Sequence, residues 1–469
     1  MRHLLCPLLA ASSLLLVAST SRAATRPRYG GTLRVRIQSP VMSLDPSDGP
    51  SPAEADALMK LRALLYESLV RLDADGRPQP ALAVSWEHDE RFVRWRFKLR
   101  SGVKWHDGSA VAPEEILASL EGLIPGHPAR LEGDTLVFET GDPTPNLPIS
   151  LATSRGASVR RPQVGSPGRF PIGTGPFRLT EWQPGRRAVF QASEDYWDGR
   201  PFLDAIVVEM GSASRDRLVD LELDKTDVAE LDPSEARRAQ QEGRKVWTSA
   251  PVELLALQFN SHRPSVSDAR LREAIAACID RAAIQKVLLQ NYGEIAGGIL
   301  PHWLSGYGFL FSTAANLDRA KNLRAEIGSL PALKIGFDPG DGLARQVAER
   351  VAVNARDAGI LLQVSPLTQG WSRMADPGVD VMVKRARIEG PTFDEAARQA
   401  QEWFPLSTQG DNGPEEVFAA ERKYLGTFAT VPLVLVPEIL GLGPRVKNWL
   451  PTRWGDWHLE NVWVEAEKP

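Results

Sequence analysis

A strand, a helix and a second strand follow one another in residues 331–367, and this order constrains the fold more than any other stretch of the chain. The segment reads PALKIGFDPGDGLARQVAERVAVNARDAGILLQVSPL. Apolar runs stand on either side of a helical repeat. A strand that returns through a helix to its neighbour in the same sheet lies parallel to it. The pattern therefore predicts a βαβ unit and a mixed α/β fold with a parallel sheet.

The earlier part of the chain alternates between strand-like and helix-like patterns. GTLRVRIQ (31–38) alternates at period two and predicts a strand, whereas EADALMKLRALLYESLV (54–70) carries leucines at helical spacing. RFVRWRFKLR (91–100) predicts a half-buried strand with a basic outer face, because its basic and apolar residues alternate. Residues 173–210 predict three strands, with a turn at Pro184-Gly185 between the first two.

The segment VKWHDGSAV (103–111) places His106 beside Asp107 in a chain with seven histidines. A catalytic or metal-binding pair would need further partners, and no HExxH, GxSxG or clustered His-Cys pattern occurs in the sequence. Asp107-Gly108 suits a tight turn, because glycine accepts positive φ and aspartate bonds its own backbone. We therefore expect a structural hairpin here.

Residues 1–23 have the composition of a secretory signal peptide. Arg2 precedes an apolar run that is too short to span a bilayer, and Ser21-Arg22-Ala23 places small residues at a cleavage site. Cys6 lies near the start of the run, whereas a lipoprotein would carry its cysteine at the end. We expect a soluble, exported protein.

The charge and cysteine content of the mature chain exclude several classes of function. Removing residues 1–23 takes Lys+Arg from 55 to 53 against 59 Asp+Glu, so the net charge becomes −6. Such a balance favours neither nucleic acid nor an anionic membrane as partner. Cys278 is the single mature cysteine, which excludes a disulfide within the chain and disfavours a cysteine-based metal site. Its helical context, LREAIAACIDRAAI, predicts a buried, inert thiol.

Several segments, taken in order, resemble the family 5 extracellular solute-binding proteins, which are the peptide, nickel and oligosaccharide receptors of ABC importers. The resemblance covers nearly the whole mature chain. The matching segments are YGGTLRV, LLYESLVRLDADGRPQPALAVSWE, WRFKLRSGVKWHDGS, GTGPFRLTEW, EDYWDGRPFLDAI, LALQFNSHRPSVSDARLREAIAACIDRAAI, GGILP and NLDRAKNLRAEIG.

This resemblance implies an α/β, two-lobed periplasmic-binding-protein fold, type II-like, with an inserted subdomain and a hinge between the lobes. The family layout assigns residues 24–44, 171–260 and 441–469 to lobe 1, residues 45–170 to the inserted subdomain and residues 261–440 to lobe 2. The subdomain is shorter than in large peptide receptors, which predicts a smaller ligand.

The resemblance also points to ligand-binding residues in the segment VDVMVKRARIEGPTF (379–393). Peptide-binding members place an aspartate there to hold the α-ammonium group of the ligand, and the aligned position here is Arg387, preceded by Lys384 and Arg385. A guanidinium in the cleft would favour an anionic or hydroxyl-rich ligand. The alternative is that these cations lie on a solvated strand face or pair with Glu389.

Four further residues are candidates from their position alone. Ser51 and Pro52 match a loop that lines the pocket in the family, and the alternative for them is a plain surface loop. Trp371 and Trp403 stand beside polar loops of lobe 2 and could stack on a ligand, although core packing is favoured. No residue is expected to bind a metal, and no cofactor is expected.

The leading hypothesis is a periplasmic binding protein that captures a small organic solute, peptide-like or anionic, and delivers it to an ABC permease with its ATPases. The alternatives are a metal-complex or oligosaccharide receptor and a ligand sensor without transport. An exported enzyme is disfavoured, because no motif supplies an activated nucleophile or paired carboxylates. We expect a monomer that binds neither nucleic acid nor a metal cofactor.

Overall fold

The computed structural model of the protein describes residues 26–44, 55–120, 129–153, 159–161, 170–368, 378–388, 390–407 and 413–466. The expected signal peptide, Ser51, Pro52 and Trp371 lie outside these residues. The strands are β1 (Thr32–Arg36), β2 (Val70–Leu72), β3 (Pro78–Pro80), β4 (Ala83–His88), β5 (Arg94–Leu99), β6 (Ala129–Glu132), β7 (Thr135–Glu139), β8 (Phe177–Gln183), β9 (Arg187–Ala192), β10 (Ala205–Glu209), β11 (Val228–Glu230), β12 (Lys245–Phe259), β13 (Glu294–Ile295), β14 (Leu333–Phe337), β15 (Leu362–Pro366), β16 (Val381–Arg387), β17 (Thr430–Leu442), β18 (Val446–Lys447) and β19 (Trp463–Val464).

Helices alternate with these strands along the chain. They are α1 (Ala55–Leu65), α2 (Pro113–Leu120), α3 (Leu147–Thr153), α4 (Ser214–Glu222), α5 (Pro233–Gln241), α6 (Ala269–Cys278), α7 (Arg281–Ala283), α8 (His302–Ser305), α9 (Leu317–Glu326), α10 (Gly342–Asp357), α11 (Phe393–Trp403) and α12 (Pro414–Leu425). Within the described ranges, no helix is both long and apolar enough to cross a membrane.

The largest sheet contains strands from both halves of the chain. Its order is β15-β14-β16-β12-β17-β11-β1-β10-β9-β8, and β13 pairs with β17 beside this path. β14 runs parallel to β15, with Ile335 opposite Val364, and α10 connects the two. The βαβ unit predicted from residues 331–367 is therefore confirmed, as is the mixed α/β fold class.

Two long strands, β12 and β17, connect the halves of the molecule. They run antiparallel, from the pair Lys245 and Leu442 at one end to the pair Gln258 and Thr430 at the other. The pairing is irregular around Pro251, where the register shifts on both sides. A proline cannot donate to the ladder, so the regular backbone pairing is interrupted near the middle of the two strands.

The apolar core is divided at this midpoint. One cluster combines residues near the N-terminus, such as Leu33 and Leu61, with Leu440 and Trp457 near the C-terminus. Another is built within residues 255–436, and a third fills the four-stranded sheet β4-β5-β7-β6. The residue limits assigned to the lobes from the resemblance remain predictions.

The segment around His106 forms a hairpin, as predicted. The carboxylate of Asp107 accepts the backbone N–H of Ser109 at 3.0 Å, and Gly108 has a φ of +83°. The His106 ring lies between two backbone groups, since Nδ1 accepts the N–H of Gly173 at 3.2 Å and Nε2 donates to the Gly175 carbonyl at 3.1 Å. The imidazole is therefore neutral and structural, and burial lowers its pKa to about 4.

Cys278 lies at the end of α6, where 5% of it is exposed. Its thiol donates to the Ile275 carbonyl at 3.1 Å, and burial raises its pKa to about 12. The prediction of a buried cysteine is therefore confirmed, and a thiol that stays protonated is a poor nucleophile.

Candidate functional site

A cavity of about 150 Å³ opens where segments from distant parts of the chain meet. Helix α1 and the residues that follow it form one wall, α3 and Tyr196 form a second, and the segment 454–460 forms a third. Gly390 and Pro391, which follow β16, approach from the other half of the molecule. The lining residues are Met59, Arg62, Ala63, Tyr66, Glu67, Ser68, Arg71, Leu72, Ala81, Ala152, Thr153, Pro176, Tyr196, Gly390, Pro391, Trp454, Asp456, His458 and Glu460.

Glu67 is held in one wall of the cavity by two aromatic side chains. The Tyr196 hydroxyl donates to its carboxylate at 2.5 Å, and the Trp197 indole N–H donates to the second oxygen. Arg71 lies over the Trp197 ring at 5.6 Å. Burial raises the pKa of Glu67 to about 7. The two hydrogen bonds and the nearby Arg71 favour the charged form and lower the pKa, but their effect is smaller than that of burial.

The walls of the cavity carry charges of both signs. His458 Nδ1 lies 4.0 Å from the carboxylate of Glu460, and Asp456 accepts a hydrogen bond from Thr452 at 3.3 Å. Arg71 pairs with Asp198 at 2.9 Å. Acidic and basic groups together with aromatic rings suit a small polar ligand that the cavity can enclose.

Beside the cavity, ionisable side chains form a continuous series that we call the charge chain. Its members are, in spatial order, Glu438, Lys60, Asp56, Arg387, Glu253, Arg385 and Asp341. Lys60 Nζ lies 2.5 Å from both Glu438 and Asp56, and Asp56 lies 2.8 Å from Arg387 Nη1. Arg387 also donates to the backbone carbonyl of Trp454, which lines the cavity.

The second half of the charge chain lies around β16. Arg387 Nη1 is 3.9 Å from Glu253 on β12, and the same glutamate pairs with Arg385. Arg385 Nε reaches Asp341, the residue that caps α10, at 2.8 Å. The guanidinium groups of Arg385 and Arg387 are therefore both engaged by carboxylates of the protein itself.

Burial makes the protonation states of the charge chain interdependent. Burial alone would raise the pKa of Asp56, but Arg387 and Lys60 outweigh it and lower that pKa. Burial likewise opposes the charged form of Lys60, yet Asp56 and Glu438 raise its pKa. Glu438, the third carboxyl in contact with these groups, has its pKa raised by burial. Asp56 is therefore the ionised partner of both cations.

Several other contacts join the two halves of the molecule around the cavity. Asn146 donates to Asp394 at 2.7 Å, and Thr153 donates to Glu395 at 2.9 Å, so α3 is bonded to the first turn of α11. On the opposite side, Gln38 donates to the carbonyl of Gly340 at 2.9 Å. The two halves are thus in contact in this structure.

The candidates proposed from the sequence separate into two groups. Arg385 and Arg387 lie together in the charge chain, next to the cavity but outside its lining. Side chains alternate along a strand, so Lys384 points to the other face of β16. There its ammonium donates to the Trp403 carbonyl at 2.6 Å, and the Trp403 ring packs in an apolar cluster with Phe404.

Sequence reasoning did not identify the residues that line the cavity. Glu67 and Tyr196 occur in segments that carried the resemblance, ESLV and EDYWDG, but nothing in those segments indicates that the two side chains meet. Asp456, His458 and Glu460 interrupt a tryptophan-rich stretch near the C-terminus. The polar residues at alternate positions of this stretch were the one feature of the sequence that could have indicated a cavity wall.

Comparison with known proteins yields consistent matches. The family model described as bacterial extracellular solute-binding proteins, family 5 Middle, matches residues 77–399. Protein XP55 of Streptomyces lividans is 24% identical over 339 residues, which are 65% of this chain and 62% of that protein. The dipeptide-binding protein of Escherichia coli strain K12 is 24% identical over 385 residues, 72% of this chain and 69% of that protein. The chain thus spans about two thirds of the length of these relatives.

A solved structure has the same architecture. The crystal structure of NikA from Brucella suis in complex with Fe(III)-EDTA superimposes with a TM-score of 0.78 at 21% identity, and the match covers 93% of this chain and 100% of that chain. At this level of identity the likeness shows the fold. That fold is the two-lobed arrangement expected from the sequence.

Proposed function

This chain belongs to the bacterial extracellular solute-binding proteins of family 5, and from that premise we propose that it captures a small organic solute in the cavity between its lobes. The captured solute is delivered to the permease of an ABC importer and its ATPases. The protein acts in the periplasm as a monomer, after its signal peptide has been removed. β12 and β17 connect lobe 1 to lobe 2 and form the hinge at their irregular midpoint.

The cavity carries this proposal, because segments from both sides of the hinge line it. Closing the lobes encloses a ligand there, and opening them releases it. A volume of about 150 Å³ is small; an apolar cavity of about this volume holds benzene. The solute is therefore compact, closer to an amino acid or a very short peptide than to a long chain.

The charges of the walls favour a peptide-like solute. The carboxyl groups that line the cavity can pair with an ammonium group; they belong to Glu67, Asp456 and Glu460. The guanidinium groups of Arg62 and Arg71 can pair with a carboxylate. Tyr196 and Trp454 offer aromatic surface for a side chain. An anionic or hydroxyl-rich solute held by Arg387 is the alternative, and this mode of binding would require Arg387 to leave Asp56.

Reversible capture requires no covalent step. The family consists of binding proteins, and hydrogen bonds and charge pairs in an enclosed cavity account for retention of a solute. We therefore propose that the solute leaves the cavity chemically unchanged.

A second candidate is a receptor for a metal complex. The relative from Brucella suis was crystallised with Fe(III)-EDTA, and His458 supplies an imidazole in the cavity wall here. Within the described ranges, no group of three or more His, Cys, Asp or Glu side chains is arranged to hold a bare metal ion. A metal would therefore enter with its own organic ligands.

A thermal-shift screen of residues 24–469 tests these proposals. The compounds are amino acids, di- and tripeptides, sugars, sugar acids and nickel complexes. A solute at 100 times its Kd stabilises the folded state by about 2.7 kcal/mol. Recovery of the unaltered solute after incubation supports reversible capture, and a chemically changed product contradicts it.

Two variants of α3 locate the site. Ala152→Trp fills the cavity and should abolish the thermal shift, whereas Ser150→Trp lies on the same helix outside the lining and should retain it. Equal shifts in both variants would place the ligand elsewhere.

A further inference from the structure

The charge chain crosses from one lobe to the other at a single ion pair, Asp56 with Arg387. Asp56 lies on α1, whose leucines pack into the core of lobe 1, for example Leu58 and Leu61. Arg387 ends β16, whose Val381 and Val383 pack into the core of lobe 2. Moving the lobes apart would therefore break this pair, whereas the pairs on either side of it lie within a lobe or on the hinge strands.

Each member of the pair makes a further contact with the protein. Lys60, one turn after Asp56, holds the same carboxylate at 2.5 Å and also reaches Glu438 on β17 at the hinge. Arg387 is 7% exposed and donates to the Trp454 carbonyl in the cavity wall. The pair thus contacts the hinge strand through Lys60 and the cavity through Trp454.

Because the pair is buried when the lobes are in contact and hydrated when they separate, it affects the stability of the closed and open arrangements differently. In the arrangement seen here, removing one partner leaves the other buried group with one counter-ion fewer, Lys60 for Asp56 or Glu253 for Arg387. In an open arrangement both groups would be hydrated, and the loss of one would matter little. A single substitution therefore disfavours the closed arrangement selectively.

We propose that the Asp56–Arg387 pair is an interlobe latch that holds the lobes closed around the cavity before any solute is bound. This inference rests on the proposed solute-binding function and adds its regulation. The latch increases the population of the closed form, which is the form that binds. The free-energy cost of closing the lobes is then smaller, and the apparent affinity for a solute is higher. Asp56 also occupies the guanidinium of Arg387, so a solute anion gains that cation only by displacing an internal carboxylate.

Small-angle scattering of the solute-free protein tests the latch without knowledge of the ligand. Asp56→Asn should open the lobes and increase the radius of gyration. Asp227→Asn is the matched control, since Asp227 is 2% exposed and pairs with Arg34 at 3.0 Å inside lobe 1. The control should lower the melting temperature and leave the scattering curve unchanged.

Arg387→Met provides a second, independent variant, and circular dichroism verifies that each variant is folded. Asp56→Asn and Arg387→Met should each open the lobes, because each breaks the Asp56–Arg387 pair, and their combination should open them no further than Arg387→Met alone, which also removes the hydrogen bond to the Trp454 carbonyl. Scattering curves that match the wild type in both single variants would overturn the latch.

The latch and the proposed function fail in different ways. A screen without any stabilising solute contradicts the proposed function and leaves the scattering result unaffected. Unchanged scattering contradicts the latch even where a solute binds.

Discussion

Gly76, in the turn between β2 and β3, packs directly against Pro391, which lines the cavity. A Cβ atom added at Gly76 would lie 2.5 Å from Pro391 Cβ and 2.6 Å from Cη2 of Trp454. Non-bonded carbon atoms do not approach this closely, so a side chain at position 76 requires both Pro391 and the Trp454 ring to shift. Pro391 can move only if the lobes separate or its loop shifts.

Gly76→Ala should therefore weaken solute binding more than it weakens folding. The backbone at Gly76 has a φ of +80°, so alanine there also adds local strain of about 1–2 kcal/mol. Gly133→Ala is the control, because Gly133 has a φ of +65° and its added Cβ meets no described atom within 4 Å. Both variants should lose similar stability, and only Gly76→Ala should lose affinity in calorimetry with a hit from the screen. Equal affinities of the two variants would show that a side chain at position 76 does not hinder closure of the lobes.

Glu421 should make the stability of the protein fall as the pH rises from about 4.5 to about 7. The residue is fully buried and accepts hydrogen bonds from the Ile299 N–H and from the Tyr307 hydroxyl, and burial raises its pKa to about 7. Its folded pKa exceeds its unfolded value, so the folded state binds the proton more tightly. The associated stability is complete below pH 4.5 and is lost by about pH 7, which amounts to roughly 3 kcal/mol.

Glu421→Gln tests this dependence, since glutamine keeps a carbonyl for Ile299 and does not ionise. The variant should match the wild type at pH 4.5 and unfold at higher urea concentration at pH 8. Glu415→Gln, on the exposed face of the same helix, should show no such change between the two pH values. A constant difference between Glu421→Gln and wild type across this range would contradict the prediction.

Local patterns were sufficient to predict the elements that surround the site. Strand alternation around Trp95 and Phe97, the helical leucines of α1 and the Asp107-Gly108 turn each act over a few residues, and the structure contains all three. Such features depend on backbone geometry and on which face is apolar, and both can be read from consecutive residues.

The composition of the cavity and of the charge chain could not be predicted in this way. Asp56 and Arg387 are 331 positions apart, and Lys60 meets Glu438 across an even longer separation. Charge type alone does not choose among so many possible partners. Strand alternation could have separated Lys384 from Arg387, but only tertiary packing determines that Arg387 faces Asp56.

His106 should make the protein less stable in acid, in the direction opposite to Glu421. Burial lowers the pKa of its imidazole to about 4, so the folded state favours the neutral ring. The contribution is complete above pH 6.5, the unfolded value, and is lost as the pH falls toward 4, by roughly 3 kcal/mol. Protonation of Nδ1 would also remove the acceptor for the Gly173 N–H, since both ring nitrogens would then be donors.

His106→Gln separates this effect from the titration of the carboxylates. Glutamine cannot gain a proton in this range, so the difference in unfolding free energy between wild type and variant should shrink as the pH is lowered from 7 to 4. His262→Gln changes a histidine on the exposed surface and should give a difference that is small and nearly independent of pH. Urea unfolding at four pH values measures both differences. If the His106→Gln difference stays constant, the imidazole is not held neutral by burial, and the hairpin is stabilised in some other way.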